Sequence, residues 1–133
     1  MNPSIIQTNL AVVDNHFRLE LSNVDDALKL YTDDAVWECP ARGLRFTGKE
    51  EIGNNYRAMA ASLCDLEIFP IDRFATEDRV VDDTIVRFTL TGNGFKNAHA
   101  TPGSKIELHL AHIFEMRDGK IAKEKSFELW RTL

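Results

Sequence analysis

The sequence predicts an α+β fold in which helices cover one face of a mainly antiparallel sheet. Apolar residues recur every three or four positions in three segments of the first half, as in amphipathic helices. From residue 66 onward they alternate with polar residues, as in half-buried strands. Neither repeats nor linker-like tracts interrupt the 133 residues, so we expect a single domain over 1–133.

We expect the first of about three helices over residues 2–21. Its apolar face carries Ile6, Leu10, Val13, Phe17 and Leu21. Asn2 and Pro3 suit the cap and the first turn of this helix. A second, shorter helix opens at Ser22 with Asp25 in capping-box spacing, and its apolar side holds Val24, Ala27, Leu28 and Tyr31.

A third predicted helix begins at Thr47 with Glu50 in the same spacing. Its apolar face carries Ile52, Tyr56, Met59 and Leu63. A short hairpin over residues 35–39 and 44–46 precedes it and turns at residues 40–43. Each predicted helix therefore has one face to bury against the rest of the domain.

Strands dominate the second half of the chain. Pro70 lies in the first of them and is expected at a sheet edge or a bulge, because it has no N–H to donate. Longer strands follow over residues 80–91 and 105–117. Asp118-Gly119 then predicts a tight type I′ turn into a last strand over residues 120–130.

The composition excludes several classes of protein. The formal net charge is −5, and no basic stripe is present, which argues against nucleic acid as a partner. Apolar runs are too short to cross a membrane, and the N-terminus does not resemble a signal peptide. Cys39 and Cys64 form neither a CxxC pair nor a zinc-binding spacing, so we expect a reducing cytoplasmic location.

Three segments of the chain together carry a family resemblance. They are the run from Asn23 to Trp37, the turn from Phe46 to Ile52, and the closing Asp118-Gly119-Lys120-Ile121. In this order and spacing they resemble the SnoaL-like and ketosteroid-isomerase-like branch of the nuclear transport factor 2-like superfamily, over nearly the whole chain. The resemblance implies a cone with a strongly bent sheet, an internal pocket and commonly a homodimer. It implies no single reaction, since the superfamily includes isomerases, dehydratases, epoxide hydrolases, aldol cyclases and proteins without catalytic activity.

The isomerase pattern does not carry over to this chain. Cys39 stands about where those enzymes have a general-base aspartate, and Asn15 about where they have a tyrosine donor on the first helix. The second donor, a protonated aspartate, corresponds to about His112. We therefore expect chemistry other than ketosteroid isomerisation by the usual residues.

His112 is the strongest catalytic candidate, because it interrupts an apolar row on the strand over 105–117 and a titratable group facing a cavity can transfer protons. A core histidine with satisfied hydrogen bonds is the alternative. Related hydrolases and cyclases place a carboxylate near Glu128, so the resemblance implies a His112 and Glu128 acid–base pair. Glu128 and Glu124 alternate with lysines, however, which is equally typical of a solvated edge. His109 falls on the opposite face and is expected on the outer surface or at a dimer contact.

A bulge in the last strand would reverse which of its residues face inward. Candidates on this strand are therefore kept although the sequence does not determine which of its two faces lines the pocket. The expected substrate-binding residues are Phe17, Tyr31, Trp37, Cys39, Tyr56, Met59, Arg87, Phe114 and Glu124. For the aromatic residues the alternative is plain core packing, and for Arg87 it is an ion pair on the outer face.

No metal or organic cofactor is predicted. The acidic doublets, such as Asp82-Asp83, point their carboxylates to opposite faces when they lie on a strand, which does not suit a shared ligand. The glycines at 92 and 94 lack the context of a dinucleotide-binding loop. Residues 92–103 have no periodicity and are expected to form a loop, either gating the mouth of the cone or disordered.

Two functions remain open from the sequence. The first is a cofactor-independent isomerase, dehydratase, cyclase or epoxide hydrolase that acts on a small apolar substrate through a histidine and a carboxylate. The second is a non-catalytic domain that binds a small hydrophobic ligand or mediates dimerisation. A carboxylate within hydrogen-bond reach of His112 would favour the first.

Overall fold

The computed structural model describes residues 2–133 as three α-helices on a six-stranded sheet, as the sequence predicts. The helices are α1 (Pro3–Leu19), α2 (Val24–Leu28) and α3 (Gly48–Ala60). The strands are β1 (Tyr31–Cys39), β2 (Leu44–Thr47), β3 (Leu63–Ala75), β4 (Arg79–Leu90), β5 (Lys105–Arg117) and β6 (Lys120–Thr132), with a 3₁₀ turn at Pro40–Arg42 between β1 and β2. None of the described helices is both long enough and apolar enough to span a bilayer.

The strands are arranged in the order β2-β1-β6-β5-β4-β3. All neighbouring pairs are antiparallel except β1 and β6, which run parallel. The apolar core lies between the helices and the inner face of this sheet, around Val13, Tyr56 and Phe114. The predicted α+β class with a mostly antiparallel sheet is therefore confirmed.

Local hydrogen bonding at the helix starts corrects one of the predicted boundaries. Asn2 caps α1 as predicted, since its side chain accepts a bond from the Ser4 N–H at 2.9 Å. Asn23, not Ser22, caps α2 and accepts from the Asp26 N–H. Thr47 is the N-cap residue of α3 but its side chain makes no capping bond.

Two residues that were predicted at the ends of apolar helix faces are instead the first residues of strands. Tyr31, predicted on the face of the second helix, is the first residue of β1, and Leu63 is the first residue of β3. Both side chains still pack on the apolar core. Apolar spacing alone could not separate the last turn of a helix from the first residue of the following strand.

Two turn predictions are confirmed by the backbone. Asp118 and Gly119 have φ angles of 52° and 74°, as a type I′ turn requires at both central positions. Pro70 lies on β3, the edge strand, next to an irregularity in its pairing with β4. Pro70 is therefore tolerated where the ladder is already interrupted.

A bulge near the start of β6 decides which of its side chains face inward. Met116 pairs with Ile121, whereas Glu115 pairs with Lys123, so one extra residue is inserted in β6. After this bulge Glu124 and Ser126 are buried at 1% and 2% exposure, while Phe127 and Leu129 are exposed. The bulge therefore turns the polar row of the last strand toward the helices.

Candidate functional site

A cavity opens between the helices and the inner face of the sheet, with an empty volume of about 850 Å³ that includes the space at its mouth. Its walls are mostly apolar and include Phe17, Trp37, Met59, Phe88, Phe95 and Leu108. A smaller set of polar side chains also lines it: Glu20, Arg73, Thr84, His112, Glu124, Ser126 and Glu128. An apolar cavity with a few converging polar groups is the usual form of a small-molecule site.

His112 lies on the cavity wall between two carboxylates. It is 5% exposed, and its Nδ1 atom lies 3.7 Å from Asp82 Oδ2 while its Nε2 atom lies 3.9 Å from Glu124 Oε2. Neither distance is a hydrogen bond, and Nδ1 is buried without a partner among the described residues. The ring nitrogens of His112 are therefore not all occupied by hydrogen bonds to protein groups, and they remain able to exchange protons.

Asp82 is held firmly beside this imidazole. It is the ladder partner of His112 across β4 and β5, and it accepts hydrogen bonds from Arg73 Nε at 2.8 Å and from the Thr84 hydroxyl at 2.9 Å. Burial alone would raise the pKa of Asp82, but its contacts with His112, Arg73 and Thr84 lower it. Asp82 therefore presents a negative charge to His112.

Glu124 is the centre of a buried polar network. Its Oε1 atom accepts hydrogen bonds from the Tyr31 hydroxyl at 2.6 Å and from the Tyr56 hydroxyl at 2.8 Å. Its Oε2 atom lies 3.5 Å from His16 Nε2, and that same nitrogen lies 2.9 Å from Glu20 Oε2. The network ties β6 to β1, α1 and α3.

Charge pairing controls the ionisation of this network. Burial would lower the pKa of His16, but the carboxylates of Glu124 and Glu20 raise it to about 10. Burial would likewise raise the pKa of Glu124, but the charge of His16 keeps it below its ordinary value. Burial and the Glu124 carboxylate raise the pKa of both Tyr31 and Tyr56, so these hydroxyls remain donors.

Glu128 forms a second charged centre at another part of the wall. Its carboxylate receives Arg42 Nε at 2.9 Å and Arg42 Nη2 at 3.3 Å, and Trp130 Nε1 also donates to it. Arg42 is buried and packs over the rings of Trp37 and Phe95. A buried arginine fork of this kind fixes the orientation of the carboxylate.

The structure brings several of the predicted site residues together at the cavity. These are His112, Glu128, Phe17, Trp37, Tyr56, Met59 and Glu124. His112 and Glu128 are not an ion pair, because the carboxylates within 4.0 Å of the His112 ring are those of Asp82 and Glu124. Glu128 instead pairs with Arg42.

Four other predicted contact residues are not among those that line the cavity. Arg87 points to the outer face, where it pairs with Glu107 at 3.0 Å. Tyr31 and Phe114 are fully buried, Tyr31 with its hydroxyl on Glu124 and Phe114 in the core. Cys39 is also buried, and burial together with the Glu128 charge raises the pKa of its thiol to about 11.

Several polar residues of the site were not predicted. His16 is adjacent to Asn15, where the resemblance suggested a donor, and it lies one helical turn after the buried Val13. Asp82 was set aside as half of an acidic doublet, although its strand position already separates it from Asp83. Arg42 and Arg73 carry no signal in the sequence, because their partners lie on distant segments.

Within residues 2–133, one group of side chains could offer ligands to a metal: His16, Glu20 and Glu124. One ligand atom from each lies within 4.8 Å of the others. In the structure, however, the histidine pairs with both carboxylates, and Glu124 also accepts from two tyrosines. The opposite charges of these groups account for their close approach, although His16 Nε2 makes no hydrogen bond of good geometry to either carboxylate.

Comparisons with known proteins find one matching family model and several solved structures of similar fold. Residues 14–124 match the family model described as the SnoaL-like domain. A search of curated proteins finds no match to the sequence. Three crystal structures illustrate the similarity in fold.

A phenazine biosynthesis-related protein from Pseudomonas aeruginosa has a TM-score of 0.78 and 17% identity, covering 96% of this chain and 79% of that chain. An LEH-like epoxide hydrolase from M. tuberculosis has a TM-score of 0.71 and 15% identity, covering 93% of this chain and 84% of that one. A hypothetical protein with a ketosteroid isomerase-like fold from Catenulispora acidiphila, in complex with trimethylamine, has a TM-score of 0.70 and 16% identity, covering 86% and 82%.

Proposed function

Since this chain belongs to the SnoaL-like family, we propose that it is a cofactor-independent enzyme that acts on a small, largely apolar substrate by proton transfer through His112. The single observation that carries the proposal is the position of His112 on the cavity wall, with a carboxylate near each ring nitrogen. The reaction classes that fit are isomerisation, dehydration, cyclisation and epoxide hydrolysis of a substrate with a carbonyl, epoxide or hydroxyl group.

His112 acts as the proton acceptor in this proposal. When the imidazole takes a proton it becomes positive, and the nearby charges of Asp82 and Glu124 stabilise it. The protonated ring can then return the proton to a developing oxyanion of the substrate.

The remaining walls determine which substrates fit. Aromatic and aliphatic side chains such as Phe17, Trp37 and Phe88 favour an apolar skeleton. The LEH-like epoxide hydrolase among the structural neighbours supports this substrate class by similarity of fold.

Glu128 is the second catalytic candidate. Leu110 pairs with Glu128 and His112 pairs with Ser126, so Glu128 lies diagonally across the ladder from His112. Diagonal neighbours of this kind lie roughly 7–8 Å apart, which leaves room for a substrate group between them. We propose that Glu128, oriented by Arg42, accepts a hydrogen bond from the substrate or from an attacking water.

A ligand screen combined with two histidine variants tests the proposal. Purified protein is screened for thermal stabilisation by small ketones, lactones, epoxides and steroids, because a ligand that binds only the native state raises Tm. Each stabilising compound is then followed by NMR for turnover. We expect His112→Ala to reduce turnover about 100-fold or more and His109→Ala, on the outer face, to leave it unchanged.

A non-catalytic binding role is the second candidate function. It is favoured by Cys39, which stands about where the isomerases have their base and has a buried thiol with a raised pKa of about 11. Compounds that stabilise the native protein and the His112→Ala variant equally well, and that are recovered unchanged, would support this role. Equal turnover by the native protein and His112→Ala would remove His112 from the mechanism.

We also propose that the chain forms a homodimer through the outer face of the sheet. After the β6 bulge this face exposes Phe127 at 41% and Leu129 at 70%, next to Ile113 at 38%. Apolar side chains grouped on one exposed surface favour association. A mass near the 15.1 kDa of one chain in light scattering at micromolar concentration would contradict the proposal.

A further inference from the structure

Three side chains with complementary chemistry lie in one row across the inner face of the sheet. Asp82 on β4 pairs with His112 on β5, and His112 pairs with Ser126 on β6. All three are buried, with exposures of 1%, 5% and 2%. Directly opposite residues on antiparallel strands place their Cβ atoms about 4.5–5.5 Å apart, so each member of the row is next to the following one.

The imidazole of His112 is oriented along this row. Its Nδ1 atom faces β4, where Asp82 Oδ2 lies 3.7 Å away. Its Nε2 atom faces β6, as shown by the 3.9 Å distance to Glu124 Oε2 on that strand. Ser126 is two residues from Glu124 on the same inward-facing side of β6, and both Ser126 and His112 line the cavity.

We propose that Asp82, His112 and Ser126 form an acyl-transfer site in which the Ser126 hydroxyl is the nucleophile. The inference rests on the proposed function, because His112 is the base in both. The order of the three residues, with the carboxylate at Nδ1 and the hydroxyl on the Nε2 side, is the order that activates serine in acyl-transfer enzymes. Hydrogen bonds from Arg73 and Thr84 fix Asp82 in its place in the row.

The proposed reaction has two steps. First, Ser126 Oγ forms a bond to the acyl carbon, its proton passes to His112 Nε2, and the bond to the leaving alcohol or thiol breaks as that group receives the proton. Second, a water molecule attacks the acyl-serine, His112 takes its proton and returns it to Ser126 Oγ, and the carboxylic acid is released. The only co-reactant is water.

The chemical class of the substrate follows from the surroundings of the row. The apolar walls suit an acyl chain of a few carbons. The hydroxyl groups nearest the row are already engaged, since Thr84 donates to Asp82 and Tyr56 donates to Glu124. Stabilisation of a developing oxyanion is therefore weak, so we expect activated esters and thioesters, rather than amides, as substrates.

Covalent labelling tests the inference directly. The full chain is treated with an alkyl fluorophosphonate, and the adduct is measured by intact mass and located by peptide mapping. Hydrolysis of p-nitrophenyl butyrate is followed in parallel. We expect one adduct on Ser126 and an ester-hydrolysis rate at least 100-fold above that of Ser126→Ala or His112→Ala.

Two further variants keep the result interpretable. His109→Ala removes a histidine that pairs with Asp83 on the outer face, and it should retain both labelling and hydrolysis. Ser126→Cys replaces the nucleophile by a thiol of similar size, and peptide mapping should then find an iodoacetamide adduct at residue 126 in addition to any adduct at the exposed Cys64.

Failures of the two proposals are distinguishable. Absence of an adduct on Ser126, or ester hydrolysis that is unchanged in Ser126→Ala, would overturn the acyl-transfer inference. Thermal stabilisation by ketones or epoxides, together with turnover that depends on His112, would still support the proposed function in that case. A label on another residue would likewise overturn the role of Ser126.

Discussion

Two histidine–aspartate pairs lie on opposite faces of the same two strands. On the inner face, His112 and Asp82 are 3.7 Å apart with side-chain exposures of 7% and 2%. On the outer face, His109 and Asp83 are 2.6 Å apart with exposures of 44% and 39%. The outer pair has the shorter contact, yet in a single chain water screens it, whereas the inner pair lies in a medium of low dielectric.

In the proposed function, burial rather than contact distance determines which of the two pairs reacts, because the exposed pair has the shorter contact. A one-residue step along β4 and a three-residue step along β5 move the same residue types from the outer face of the sheet to its buried inner face. The inner pair also belongs to a larger set of buried charges that includes Glu124 and His16. Four predictions test how far the two faces differ.

The largest expected difference is in the free energy of unfolding that is lost when one carboxylate is removed from each face. Glu124→Gln would leave the charge of His16 without one of its two counterions and would weaken the acceptor of the two tyrosine hydroxyls. Breaking a buried pair in this way costs about 3–5 kcal/mol of unfolding free energy. Asp83→Asn on the outer face should cost less than about 1 kcal/mol. Urea unfolding of both variants measures the difference, and similar losses would contradict the comparison.

The pH dependence of stability should also originate on the inner side. The pKa of His16 is raised from 6.5 to about 10 in the folded state, so its stabilisation is complete below pH 6.5 and is lost as the pH rises through 10. The pKa of Glu124 is lowered from 4.5, so its stabilisation is complete above pH 4.5 and is lost as the pH falls to about 2. Their joint contribution is therefore largest between pH 4.5 and 6.5.

Thermal unfolding from pH 3 to pH 10 checks this profile. The variant His16→Gln should lose most of the decline on the alkaline side, because glutamine does not titrate. The variant His109→Gln serves as the matched control and should retain the native profile. A profile that is unchanged in His16→Gln would assign the alkaline decline to other groups.

Much of this organisation follows from periodicity that is visible in the sequence. The alternation from Ile106 to Met116 places His112 inside and His109 outside, as the structure confirms. The tight turn at Asp118-Gly119 is equally local, since it depends only on two residues that tolerate positive φ. Features of this kind need no knowledge of the distant chain.

The rest of the site depends on contacts that no local pattern records. The β6 bulge turns Glu124 and Glu128 inward, and nothing in residues 120–130 distinguishes it from a regular strand. Arg42 becomes buried only because Glu128, far along the chain, neutralises it. Asp82 becomes significant only when β5 supplies His112 as its neighbour.

Replacing Asp82 rather than Asp83 should change activity by a smaller factor than replacing His112 rather than His109. Asp82 does not touch the substrate in our proposal but positions and stabilises His112, so Asp82→Asn should lower kcat at least about tenfold with little change in KM. Asp83→Asn should change neither constant. Steady-state kinetics with the best substrate from the screen provides the test, and an effect on KM alone would indicate a role in binding.

The smallest expected effect is the salt dependence of the two pairs. Raising the ionic strength from about 0.1 M to about 1 M shortens the screening length from about 10 Å to about 3 Å. The exposed pair of His109 and Asp83 should have a coupling energy below about 1 kcal/mol at low salt, and most of it should disappear at high salt. Double-mutant cycles with alanine, measured by urea unfolding, give this coupling for each pair. The coupling energy of His112 and Asp82 should persist at high salt, because both side chains are buried away from ions. An equal loss of coupling energy in both cycles would mean that the inner pair is as solvated as the outer one.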